Sequence, residues 1–69
     1  MKNRIAEFRK AKGLTQKQLA EALGMTTYQS LQQYENGRFV PNVYTAILIA
    51  KALDTTVEEL FPLEEFLNG

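Results

Sequence analysis

The chain has 69 residues, eight basic and eight acidic, with neither cysteine nor histidine. So short a chain makes one domain, spanning residues 1–69, and buries only about 60% of its unfolded surface. It has no thiol or imidazole for metal ligation, disulfides, nucleophile–histidine catalysis or proton shuttling, so neither an enzyme nor a metal or cofactor is expected. No apolar run reaches the roughly 20 residues that cross a bilayer, and the basic start Met1-Lys2-Asn3-Arg4 leads into no signal-peptide core. A cytoplasmic protein with no membrane partner is therefore expected.

Helix signals recur at short intervals and no alternating run argues for a strand. A first helix is predicted over residues 2–12, with Ile5, Phe8 and the stem of Lys12 inward, stopped by Gly13 as a left-handed cap. Thr15 opens a second helix over 16–23. Thr15 and Gln18 have the spacing of a capping box, and Leu14 and Leu19 that of a hydrophobic staple. Leu19, Ala20 and Leu23 form its inner face and Gly24 ends it. A short turn holding Met25, with Thr26 or Thr27 as cap, leads to a third helix over 28–36. There Leu31 and Tyr34 face inward, and Asn36-Gly37 is the stop. After the loop Arg38-Phe39-Val40-Pro41, Asn42 caps a fourth helix over 43–53. Its predicted inner face is Val43, Ile47, Ala50 and Leu53, flanked by Ala46 and Ile49. Thr55–Glu58 and Thr56–Glu59 both fit a capping box for a last helix over 57–61, where Leu60 and Phe61 close the core. Pro62 lets a further turn begin at Leu63, and Phe66 and Leu67 are an apolar pair near the end of the chain. The result is an all-α domain of five short helices with brief connections.

The charge is unevenly distributed along the chain. Residues 1–38 carry seven basic against three acidic residues, and residues 39–69 carry Lys51 against five acidic residues. If the first three helices share a face, that face is positive. The third helix has an unusual outer stripe: Tyr28, Gln29, Gln32 and Gln33 stand at i, i+1, i+4 and i+5, without a charge among them. A solvated helix normally carries Glu and Lys there. Glutamine amides suit base edges, because one Gln can bond both N7 and N6 of adenine, whereas a merely neutral polar surface is the plain alternative, since Gln is a good helix former. Two helices joined by a glycine turn place the second in the major groove, and this favours the first reading. Thr15, Gln16 and Lys17 at the start of the second helix, and Arg38 and Asn36 beyond the third, are candidate phosphate contacts, which set register while base contacts set preference. Asn36 is equally a turn residue.

The runs Leu14-Thr15-Gln16-Lys17-Gln18-Leu19-Ala20-Glu21-Ala22-Leu23-Gly24, Tyr34-Glu35-Asn36-Gly37-Arg38, Ile49-Ala50-Lys51-Ala52-Leu53 and Val57-Glu58-Glu59-Leu60-Phe61, with Pro41 between the second and third, resemble the Cro and repressor (Xre-like) helix-turn-helix family over residues 3–61. The segment Thr26–Gly37 is similar to the recognition segment of a lambdoid phage repressor. The resemblance implies a compact five-helix, lambda-repressor-like domain with core 3–61 and a tail, 62–69, that is a candidate dimer contact. It implies base-reading positions at Tyr28, Gln29 and Gln33, a base-or-phosphate position at Thr27, backbone contacts at Asn36 and Arg38, and a bracing role for Gln16. It also implies a partly buried ion pair between Arg9 and Glu35. Against the family pattern either Met25 is inserted in the turn or the third helix starts one residue later, and the flexible Met25 side chain is expected to plug the core below.

The function expected is a sequence-specific regulator of double-stranded DNA, a repressor of phage or mobile-element type. It would act as a homodimer on a palindromic operator, with half-sites about 34–36 Å apart. Leu48, Leu63, Phe66 and Leu67 are the dimer candidates, Leu48 forming an apolar patch with Tyr44. Two alternatives share the fold: an antitoxin that binds both DNA and a toxin, or an adaptor that holds a protein partner and no DNA.

Overall fold

The computed structural model describes residues 2–63. They form five helices: α1 (Ile5–Ala11), α2 (Gln16–Ala22), α3 (Gln29–Glu35), α4 (Val43–Ala52) and α5 (Val57–Leu60). There is no strand among the described residues. The further turn predicted from Leu63, and the pair Phe66 and Leu67, lie largely or wholly outside them.

The helix starts follow from short polar side chains. Thr15 and Gln18 form a reciprocal capping box: the Gln18 N–H donates to Thr15 Oγ1 at 3.0 Å and the Thr15 N–H to Gln18 Oε1 at 2.9 Å. Asn42 accepts from the Thr45 N–H at 2.8 Å, and Thr56 accepts from the Glu59 N–H at 3.2 Å. The last of these is half a capping box, because the Glu59 carboxylate instead accepts from the Thr55 hydroxyl. α3 starts one residue later than predicted, and its cap position is Tyr28, which supplies no side-chain bond. Thr27 stands one residue further out, and its hydroxyl accepts weakly from the Gln29 N–H at 3.3 Å.

Four of the five helix ends are built one way. After α1, α2, α3 and α4 a residue enters the left-handed region, at Gly13, Gly24, Gly37 and Asp54, with φ between 55° and 78°. The next N–H in each case turns back to the carbonyl of the helix's last turn: Leu14 to Arg9, Met25 to Ala20, Arg38 to Gln33 and Thr55 to Ala50, at 2.9–3.1 Å. This satisfies carbonyls that the helix leaves over and aims the following side chain back at the helix. Leu14 and Met25 are those following residues, and both pack on the core. Met25 is thus an apolar anchor under the α2–α3 turn.

The core is Ile5, Leu19, Ala20, Leu31, Ile49, Ala50, Leu53 and Leu60, all but sealed from solvent, with Phe8, Tyr34, Val57 and Phe61 among the side chains packed around it. α3 packs on both α1 and α2, and α5 on α4. The Arg4 N–H donates to the Leu60 carbonyl at 2.8 Å, joining the two ends of the domain.

Two predicted faces need correction. The inner face of α4 is Ala46, Ile49, Ala50 and Leu53, whereas Val43 and Ile47 are exposed. The helix reads VYTAILIAKA, apolar nearly all round, so periodicity cannot choose a face. Packing can: Ala46, Ile49 and Ala50 go into the core, and Val43 and Ile47 turn outward. In α1 the buried partner of Ile5 is Arg9, and the Lys12 stem lies in the open, its ammonium paired with the Asp54 carboxylate.

Candidate nucleic-acid interface

α2 and α3, joined by residues 23–28, form a helix-turn-helix. Behind it lies a polar cluster. Arg9 Nε donates to Glu35 Oε2 at 2.7 Å and a second guanidinium nitrogen to Oε1 at 3.3 Å. The remaining arm of Arg9 donates to the Leu14 carbonyl at 2.7 Å. Gln16 Nε2 completes the set by donating to Glu35 Oε1 at 3.1 Å. The Arg9 and Glu35 side chains are only 11% and 7% exposed. One carboxylate at the end of α3 is therefore gripped from α1 and from α2 together. Charge-assisted, forked bonds of this kind fix orientation as well as contributing energy.

Asn3 adds a further tie. Its Nδ2 donates to the Tyr34 carbonyl at 2.7 Å, and its Oδ1 accepts from the Ile5 N–H at 3.1 Å. One amide thus takes up the first N–H of α1 and holds the last turn of α3. The helix predicted over 2–12 takes in Asn3, which lies instead two residues ahead of α1.

On the outer side, Tyr28, Gln29 and Gln32 are exposed and Leu31, opposite, is sealed. Gln33 differs from its neighbours. It is half-buried, and its Oε1 is enclosed with no hydrogen-bond partner among the described residues. It borders a hollow of about 390 Å³ together with Gln29, Ser30, Tyr34, Phe39 and Val40. A second hollow, about 570 Å³, runs between the start of α2 and Tyr28, lined by Arg9, Gly13, Leu14, Thr15, Gln16 and Lys17 as well.

The flanking candidates are not equivalent. The capping box consumes the Thr15 N–H and occupies its hydroxyl oxygen, and Gln16 is turned toward Glu35. Lys17 is exposed and carries the positive charge at this end. Asn36 Oδ1 accepts from the Arg38 N–H at 2.9 Å, so its carbonyl side is a turn device. Arg38 is exposed just beyond. Of the dimer candidates, Leu63 is exposed, Leu48 is half-buried, and Phe66 and Leu67 lie outside the described residues. The apolar exposure on α4 is at Val43, Tyr44 and Ile47 instead.

This arrangement has relatives. Residues 5–60 match a family model described as helix-turn-helix, HTH_3. The chain is 38% identical over 65 residues to the uncharacterized HTH-type transcriptional regulator YgzD of Bacillus subtilis, covering 94% of this chain and 97% of that one. It is 42% identical over 66 residues to an uncharacterized HTH-type transcriptional regulator of Methanothermobacter thermautotrophicus, covering 94% of each. It is 37% identical over 60 residues to the cryptic phage CTXphi transcriptional repressor RstR of Vibrio cholerae, covering 87% of this chain and 53% of that one. With the matched span taking in all five helices, the chain belongs to the Xre-like helix-turn-helix family of transcriptional regulators.

Proposed function

We propose that the chain is a sequence-specific repressor that docks α3 in the major groove of double-stranded DNA and works as a homodimer on a palindromic operator. The observation that carries this is the uncharged outer face of α3, Tyr28, Gln29 and Gln32, with the helix held rigidly from behind by Arg9, Glu35 and Gln16. Amides on a fixed helix can test base edges, each good bidentate contact giving about 1–3 kcal/mol of discrimination. Lys17 and Arg38 flank that face and neutralise phosphates, and Thr27 and the Asn36 amide nitrogen add neutral backbone contacts. The name of the repressor RstR supports the repressor assignment. The apolar face on α4 supports the dimer.

Gln33 has a particular role in this reading. An enclosed acceptor with no partner costs about 1–3 kcal/mol. The exocyclic amino group of adenine or cytosine, entering the hollow beside Gln29, supplies the missing donor. Gln33→Met keeps the shape and removes the orphan. The variant is expected to melt higher while losing preference at one base of each half-site.

Selection of bound sequences from a random duplex pool, with wild type and Gln33→Met in parallel, tests both statements. A symmetric consensus that degenerates at one position in the variant supports the reading. No enrichment by the wild type overturns it and leaves a protein-binding adaptor.

A further inference from the structure

α3 carries three glutamines, and their surroundings differ. Gln29 and Gln32 are exposed, whereas Gln33 is half-buried. Among the buried side-chain oxygens and nitrogens of the described residues, Gln33 Oε1 is the one without a hydrogen-bond partner. The hollow that Gln33 borders mixes the polar Gln29 and Ser30 with the apolar Phe39 and Val40. An exposed glutamine loses little when a base withdraws a donor, because water takes its place. A sheltered acceptor has no such substitute, so what a base presents to it is felt in full.

We propose that Gln33 makes binding depend on the methylation state of one adenine in the DNA site: the unmodified base is accepted and N6-methyladenine is rejected. The inference rests on the DNA-binding reading above and names a modification that regulates it. An amide presents a donor beside an acceptor. Among the four bases adenine alone offers the complementary pair, N7 and the N6 amine, on one edge. The terminal torsion of a glutamine is soft, so the Gln33 amide turns to meet that edge as it arrives.

The N6 amine carries two hydrogens. One pairs with thymine O4, and the other stands in the major groove, where Gln33 Oε1 accepts it. A methyl group on N6 replaces one of the two, and keeping the thymine pair leaves the methyl in the groove position. Gln33 Oε1 then meets carbon where it needs an N–H. It stays unsatisfied in the complex, as it is in the free protein, and the contact contributes nothing. Gln33→Met reverses the preference. Beside Phe39 and Val40 the thioether makes that part of the hollow apolar, and a methyl group gains by leaving water there.

The base to modify is the position at which Gln33→Met loses preference in the pool selection. Synthetic duplexes carry the selected site unmodified, with N6-methyladenine at that position, or with N6-methyladenine at any other adenine of the site. Wild type is expected to lose roughly tenfold or more per half-site at the first position, and under about threefold elsewhere. Gln33→Met is expected to bind modified and unmodified duplexes alike, or to prefer the modified one. Both proteins meet the same duplexes, so any effect of the methyl group on the DNA itself cancels. The wild-type series decides the matter by itself should the variant fail to fold.

A preferred base other than adenine at that position overturns the proposal. So does a wild type indifferent to the methyl group there, or one that loses equally at every adenine. An equal loss by folded Gln33→Met also overturns it, by moving the sensor off Gln33. In each of these cases the selected consensus leaves the DNA-binding reading standing. A wild type that selects no sequence overturns both together.

Discussion

Arg9 is the charged residue that the core admits, and it does so because every arm of the guanidinium has an acceptor. Two go to Glu35 and one to the Leu14 carbonyl. A buried ion pair is not by itself a source of stability, because desolvation offsets much of the attraction. Losing one partner is different: Glu35 would remain enclosed with only Gln16 to answer its charge. Arg9→Ala is therefore expected to cost about 3–5 kcal/mol, a large share of what so small a domain has. Thermal melting should show a cooperative transition lost or moved far down. Arg9→Lys should rescue only partly, since an ammonium cannot fork onto a carboxylate and also reach the Leu14 carbonyl in fixed geometry. A melting midpoint unmoved by Arg9→Ala would reduce the pair to an ordinary exposed contact worth under about 1 kcal/mol. The same cluster joins stability to the proposed function. Glu35 sits at the end of α3, so loosening it also loosens the amides that face outward.

At the scale of elements, four helices end by one device and only three of those ends are visible in the sequence. A glycine after α1, α2 and α3 takes the left-handed turn without penalty, whereas α4 makes the same turn with Asp54 at φ 55°. A Cβ at Gly24 would meet nothing within 4 Å, so Gly24→Ala tests backbone strain alone. It is expected to cost about 1–2 kcal/mol. Asp54→Gly should be neutral or gain a few tenths, the relief of strain offsetting the lost pair with Lys12 and the freer unfolded chain. Equilibrium denaturation of the two variants reads the contrast, and equal effects would mean that the turn is not set by the left-handed residue. Three helix starts were legible because Thr15, Asn42 and Thr56 cap by side-chain chemistry that any sequence displays, whereas α1 and α3, whose cap positions Arg4 and Tyr28 make no such bond, start later than their patterns predict. The inward face of α4 was not legible. Its residues are apolar on nearly every side, and only the packing of neighbouring helices decides that Ala46, Ile49 and Ala50 go in and Val43, Tyr44 and Ile47 stay out. The candidate site shows the same division. The Gln stripe could be read from spacing, but the enclosed Oε1 of Gln33 could not, because the hollow it borders is lined in part by Phe39 and Val40, from a loop whose path no local pattern specifies.

For the molecule as a whole, a net charge of zero argues against binding a polyanion, and its distribution decides otherwise. Three of the seven cations in the first 38 residues are held by carboxylates: Arg4 by Glu7, Arg9 by Glu35 and Lys12 by Asp54. Lys2, Lys10, Lys17 and Arg38 have no ion pair among the described residues, and of these Lys17 and Arg38 flank α3. If those two each neutralise a phosphate, a dimer engages about four, and the slope of log affinity against log salt should be near ~−3.6, at about −0.9 per phosphate. Between 50 and 200 mM salt the operator affinity should then fall roughly a hundredfold. Lys17→Ala removes one contact per protomer and should flatten the slope by about 2 without altering the preferred sequence. Lys12→Ala, which deletes a cation already engaged by Asp54, should leave the slope where it was. Titrations of wild type and both variants at several salt concentrations measure all three slopes. A flat wild-type response would remove phosphate from the account, whereas equal flattening by Lys12→Ala and Lys17→Ala would mean that the basic half acts as a diffuse field and that no register is set at the start of α2.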